Sequence, residues 1–97
     1  MAEENEKVNA EQLSELYFIQ YISILANSGM QQLGKIMNPA TGKIEKNLEA
    51  AQATIGLLSM LKEKTKNNLT DNEENVISEA LANLQLNYAD EVNRKGA

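Results

Sequence analysis

The chain has 97 residues, 42% apolar and 24% charged, enough for one small domain with a single core. It contains no cysteine and no histidine. That excludes disulfides, thiolate sites, nearly all zinc chemistry and the usual general base near neutral pH, while a net charge of −5 makes a poor nucleic-acid binder.

The opening residues MAEENEKVN carry three glutamates and lack the basic end and apolar run of a secretory signal, so export is not expected. Residues 1–8 read as a disordered acidic tail, 9–92 as one helical domain and 93–97 as a flexible tail. Asn9 with Gln12 resembles a capping box. The apolar pattern then runs through Leu13, Leu16, Tyr17, Tyr21, Ile24 and Leu25 towards Leu33, which predicts a long first helix. Within it, Leu16 to Ala26 is apolar apart from Gln20 and Ser23. At about 17 Å of helix this window is too short for a hydrocarbon core of about 30 Å, and a cytoplasmic protein is expected.

Gly34 and Pro39 are the stop signals for that helix, since proline disfavours helical backbone at the residue before it. Residues 38 to 42, NPATG, predict a turn with Asn38 first, Pro39 second and Thr41 following, and with Gly42 at positive φ. Asn47 is the predicted cap of a second helix, in which Leu48, Ala51, Ile55 and Leu58 form one stripe and Ala50, Ala53, Leu57 and Leu61 the next. Asn67 and Asn68 suit a left-handed C-terminal cap with Leu69 folding back. Thr70 with Glu73 predicts a capping box for a third helix, whose core positions are Ile77, Leu81, Leu84 and Tyr88. The fold class that follows is all-α: a small three-helix bundle-like domain with a long first helix and a Pro/Gly corner before helix two.

The run LGKIMNPATGKIEKNLEAAQATIGLLSMLKEKTKNNLT, with the FIQYISILA segment before it and an acidic helix ending LQLNY after it, resembles the bacterial domain-of-unknown-function family 1844. The pieces that carry the resemblance are Asn38-Pro39, Thr41-Gly42, Glu45, Asn47-Leu48, and Glu63-Lys64-Thr65-Lys66 followed by Asn68-Leu69. Asn67 stands where the family pattern usually has glycine, and Gln85 where it often has arginine. The resemblance implies a small helical bacterial protein and assigns no activity.

Charge is segregated along the chain. Residues 1–34 and 67–97 each carry a net of −4, while 35–66 carry +3 through Lys35, Lys43, Lys46, Lys62, Lys64 and Lys66. Those lysines are the candidate surface for an anion or acidic partner, against the plainer reading that lysines near a helix C-terminus favour its dipole. The carboxylate pairs Glu11/Glu15 and Glu45/Glu49 read as solvated surface, no metal site or cofactor is expected, and the serines lack a base partner. TGK at 41–43 lacks the first glycine of a phosphate loop.

Helix one is the most informative element, because apolar residues surround it over Leu16 to Ala26 and two partner helices cannot cover its whole circumference. Leu16, Tyr17, Phe18, Tyr21, Ile22 and Leu25 are therefore the predicted oligomer interface. The function expected is a non-enzymatic, homo-oligomeric protein-interaction module, a dimer being favoured, with an unknown protein partner. The alternative is an RNA- or ribosome-associated factor using the lysines of 35–66.

Overall fold

Each of the three helices has its own start or stop chemistry in the sequence, and the computed structural model uses most of it. The backbone is described from Ala2 to Gly96 and the side chains over residues 10–94. Among the described residues the elements are α1 (Ala2–Gln32), α2 (Leu48–Lys64) and α3 (Asp71–Gly96), each packed on both others.

Helix α1 runs from Ala2 to Gln32, so the Asn9–Gln12 box is not its start, and the tail expected at 1–8 falls on residues whose side chains lie outside those described. Helix α3 includes residues 93 and 94, beyond the end expected at 92. Met1 and Ala97 lie outside the described residues.

The end of α1 is a Schellman motif on Gly34, whose φ is +76°. The Lys35 N–H donates to the Met30 carbonyl at 2.9 Å and the Gly34 N–H to that of Gln31 at 3.0 Å. Gly34 alone therefore stops the helix, and Pro39 serves another purpose. Residues 33–46 fold as a hairpin-like connection, with antiparallel bridges between Leu33 and Lys46 and between Asn38 and Lys43. At its tip the Asn38 carbonyl accepts from the Thr41 N–H at 3.2 Å and the Gly42 N–H at 2.8 Å, and Gly42 sits at φ +70°. The Asn38 side chain accepts from the Ala40 N–H and donates to Glu45 Oε1, so this one residue fixes both the turn and its flank.

Asn47 caps α2, accepting from the Ala50 N–H at 3.0 Å. After α2 the left-handed residue is Asn67, at φ +71°, while the Asn68 N–H donates to the Thr65 carbonyl. Leu69 folds back against the core as expected. Thr70 and Glu73 form the reciprocal box: the Glu73 N–H donates to Thr70 Oγ1 at 3.1 Å and the Thr70 N–H to Glu73 Oε1 at 2.8 Å.

The core consists of Ile22 and Leu33 from α1 and its end, Ala51 and Leu58 from α2, and Ile77, Leu81 and Leu84 from α3. Full burial of each of the larger aliphatic side chains contributes about 1.5–3 kcal/mol. Gly29 lets α1 approach α3, since a Cβ there would stand 2.8 Å from Leu84 Cδ2. Between α1 and α2, Thr54 Oγ1 donates to Gln32 Oε1 at 2.7 Å. Two sequence expectations fail here. Ala53 and Leu57 of the second α2 stripe are exposed and Thr54 is buried instead, because α1 and α3 cover a narrower arc of α2 than its apolar residues span. On α1 the core side is Ile22, with Phe18 and Leu25 packed beside it, and most of the apolar pattern read from Leu13 onward points away.

Candidate functional site

Two features stand apart from core packing: the outward face of α1 and a charged cluster that closes the hairpin onto α3.

On α1 the spacing Leu13, Tyr17, Ile24, with Leu16 and Tyr21 to either side, puts five large apolar side chains on one helical face. All five are exposed, Tyr17 at 62% and Ile24 at 64%. This is the reverse of the face that carries Ile22. Of the six residues predicted as interface, Leu16, Tyr17 and Tyr21 lie on the exposed face, and Phe18 and Leu25 are half-buried at its edges. Ile22 does not belong to it, because its side chain is completely buried in the chain's own core. Leu13 and Ile24 share this face without being in the predicted set, although Leu13 lies four residues from Tyr17 and Ile24 three from Tyr21. Tyr17, Phe18 and Tyr21 also line an open groove of about 680 Å³ with Leu69 and Thr70, rimmed by Glu11, Glu15 and Glu73. Glu15 joins this corner to the α3 cap by accepting from Thr70 Oγ1 at 2.5 Å.

The charged cluster centres on Glu91, whose side chain is 4% exposed. Lys35 Nζ lies 2.6 Å from its Oε2 and Lys46 Nζ 2.6 Å from its Oε1, so each carboxylate oxygen has its own ammonium. Lys35 also donates to Asp90 at 2.9 Å, and Asp90 accepts from Arg94 one turn on. Hydrogen bonds from Lys35 and then Lys46 hold the Glu91 carboxyl down at about 2. Lys35 lowers the Asp90 carboxyl too, and is itself raised, first by Glu91 and then by Asp90.

The six lysines therefore do not form one surface. Lys35 and Lys46 are paired within the fold, Lys43 stands exposed at the hairpin tip, and Lys62, Lys64 and Lys66 sit at the far end of α2, a helix of about 26 Å. Lys62 and Lys66 line a shallow groove there with Glu63 and Glu74. Asn38, Pro39, Thr41, Gly42, Asn47, Asn68 and Thr70 all sit in turns or caps, as described above. Arg94 pairs locally, four residues from Asp90, whereas Glu91 and Asp90 meet Lys35 and Lys46 of the hairpin, a pairing that no local signal in the sequence reveals.

Among the described residues no helix is long and apolar enough to cross a membrane, and no group of three or more Asp or Glu side chains could hold a metal ion. No curated protein and no solved structure matches the chain. The family model described as a domain of unknown function, DUF1844, matches residues 15–90, which span most of α1, the hairpin, α2 and most of α3. The chain belongs to the DUF1844 family.

Proposed function

We propose that this chain is a non-catalytic helical interaction module that self-associates as a homodimer through the outward face of α1. The observation that carries the reading is the contiguous exposed stripe of Leu13, Leu16, Tyr17, Tyr21 and Ile24. A stripe of this size marks a contact, and tyrosines suit an interface where the ring packs and the hydroxyl stays wet.

Catalysis has little chemical support. With neither histidine nor cysteine, the buried ionisable groups among the described residues are Glu73 and Glu91, one engaged in a helix cap and the other in two lysine pairs. An RNA- or ribosome-associated role is weaker as well, since two of the six lysines are already paired and the others sit at opposite ends of α2.

The test is the protein-concentration dependence of thermal unfolding. A dimer linked to folding has a Tm that rises with concentration, and Tyr17→Glu with Ile24→Glu should abolish that rise. A wild-type Tm independent of concentration over a hundredfold range counts against the reading.

A further inference from the structure

Helix α2 carries a second outward surface, on the reverse of the side that buries Ala51, Thr54 and Leu58. Glu49, Ala53, Gly56, Met60 and Lys64 follow one another at steps of four, three, four and four, which keeps them on one helical face, and Leu57 lies four residues beyond Ala53 at its edge. All six are exposed, Leu57 at 36% and Met60 at 42%.

Gly56 has no use in the packing of its own chain. Glycine is unfavourable in a helix interior, yet a Cβ at this position would meet nothing within 4 Å. A glycine on an exposed helix face does let another backbone approach closely. At the two ends of the same face stand opposite charges, and among the described residues neither Glu49 nor Lys64 joins an ion pair.

These features complement one another about a two-fold axis, which uses the same patch on both copies. With two α2 helices antiparallel and the axis between Gly56 and Leu57, Glu49 comes level with Lys64 of the second copy, Ala53 with Met60 and Gly56 with Leu57. Opposite charges then meet twice, and each large apolar side chain meets a residue with little or no side chain. Parallel packing would set Glu49 beside Glu49 and Lys64 beside Lys64.

The surface is separate from the stripe on α1. Helices α1 and α2 run antiparallel, with Gln32 bonded to Thr54 and with Tyr17 and Tyr21 sharing a groove with Thr65 and Asn68. The midpoint of the α2 face therefore lies level with the part of α1 near Gly29, about 16 Å along the helix from the middle of the Leu13–Ile24 stripe. One two-fold axis cannot centre on both.

We infer that α2 packs antiparallel against α2 of a second copy, about a two-fold axis between Gly56 and Leu57, with Glu49 paired to Lys64 at both ends. The contact is independent of the one proposed on α1. It is also the weaker, with two large apolar side chains per copy and no aromatic ring, so it joins copies only at higher concentration.

The test is made in the Tyr17→Glu, Ile24→Glu background, which disables the α1 contact, by sedimentation up to millimolar protein at physiological ionic strength. The mass should rise from 10.7 kDa towards twice that value. Glu49→Lys and Lys64→Glu should each weaken this association at least tenfold, because either change sets like charges level. Both changes in one chain, or an equal mixture of the two single variants, should restore it. The chain has no cysteine, so Ala53→Cys and Met60→Cys, checked for helicity by circular dichroism, report the register. A short bismaleimide should link one variant to the other, with little of either homodimer.

Homodimeric 53–53 and 60–60 products overturn the antiparallel arrangement, and single charge changes without effect overturn the Glu49–Lys64 pairing. A background that stays at 10.7 kDa at every concentration overturns the α2 contact and leaves the α1 contact standing. A wild type that is monomeric at micromolar concentration, yet associates at millimolar concentration in a way that either charge change abolishes, does the reverse.

Discussion

Glu91 and Lys35 meet at 2.6 Å where the hairpin closes onto α3, and the carboxylate is almost wholly withdrawn from water. With Lys46 on its other oxygen, Glu91 is held ionised down to about 2, against an ordinary glutamate value of about 4.3. Because the folded state depresses this pKa, the contribution to stability is present above about pH 4.3 and lost as pH falls towards about 2. The urea midpoint of the wild type should fall over that window. Glu91→Gln should start lower at neutral pH and fall less, since it has no proton to take up at this position. Equal pH slopes in the two proteins would contradict the pairing.

Thr70 is the cap of α3, and its hydroxyl also donates to Glu15 of α1. Thr70→Ala should cost about 0.5–2 kcal/mol through the cap. Hydrogen exchange should rise first in the opening turn of α3. A rise confined to α2 would place the weak point elsewhere.

Two glycines at positive φ differ in their surroundings. A Cβ on Gly42 meets nothing within 4 Å, so Gly42→Ala should cost only the left-handed backbone, about 1–2 kcal/mol. A Cβ on Gly34 would stand 3.4 Å from Lys46 Cε, beside the ammonium that pairs with Glu91. Gly34→Ala should therefore be the more destabilising of the two in a denaturant titration, and Gly42→Asn the mildest replacement. The reverse order would contradict the cap geometry.

Local signals were legible in the sequence. Asn47, Thr70 with Glu73, and the glycines at 34 and 42 act where their chemistry places them, because caps and turns depend on a few adjacent residues. The direction of α1 was not legible. Over Leu16 to Ala26 apolar residues occupy every side of the helix, so periodicity could not tell the core residue Ile22 from the exposed Ile24. The Lys35–Glu91–Lys46 cluster was invisible for a different reason, since it joins segments that only the tertiary fold brings together.

That distinction on α1 gives a paired prediction. Ile22→Ala should leave a cavity in the core and destabilise by about 2–5 kcal/mol. Ile24→Ala, two residues on, should change the stability of the isolated subunit by no more than about 0.5 kcal/mol and weaken only association. Dilution series in chemical denaturation separate the two effects. Similar losses at all concentrations for both variants would contradict the assignment of faces.

Sedimentation equilibrium of the wild type and of the Tyr17→Glu, Ile24→Glu double variant tests the central claim, that the exposed face of α1 is a self-association surface. The wild type should sediment as a two-fold species of about 21 kDa at micromolar concentration, and the variant, still helical, at the subunit mass of 10.7 kDa. A wild type that sediments at 10.7 kDa throughout, or a variant that remains dimeric, would contradict it.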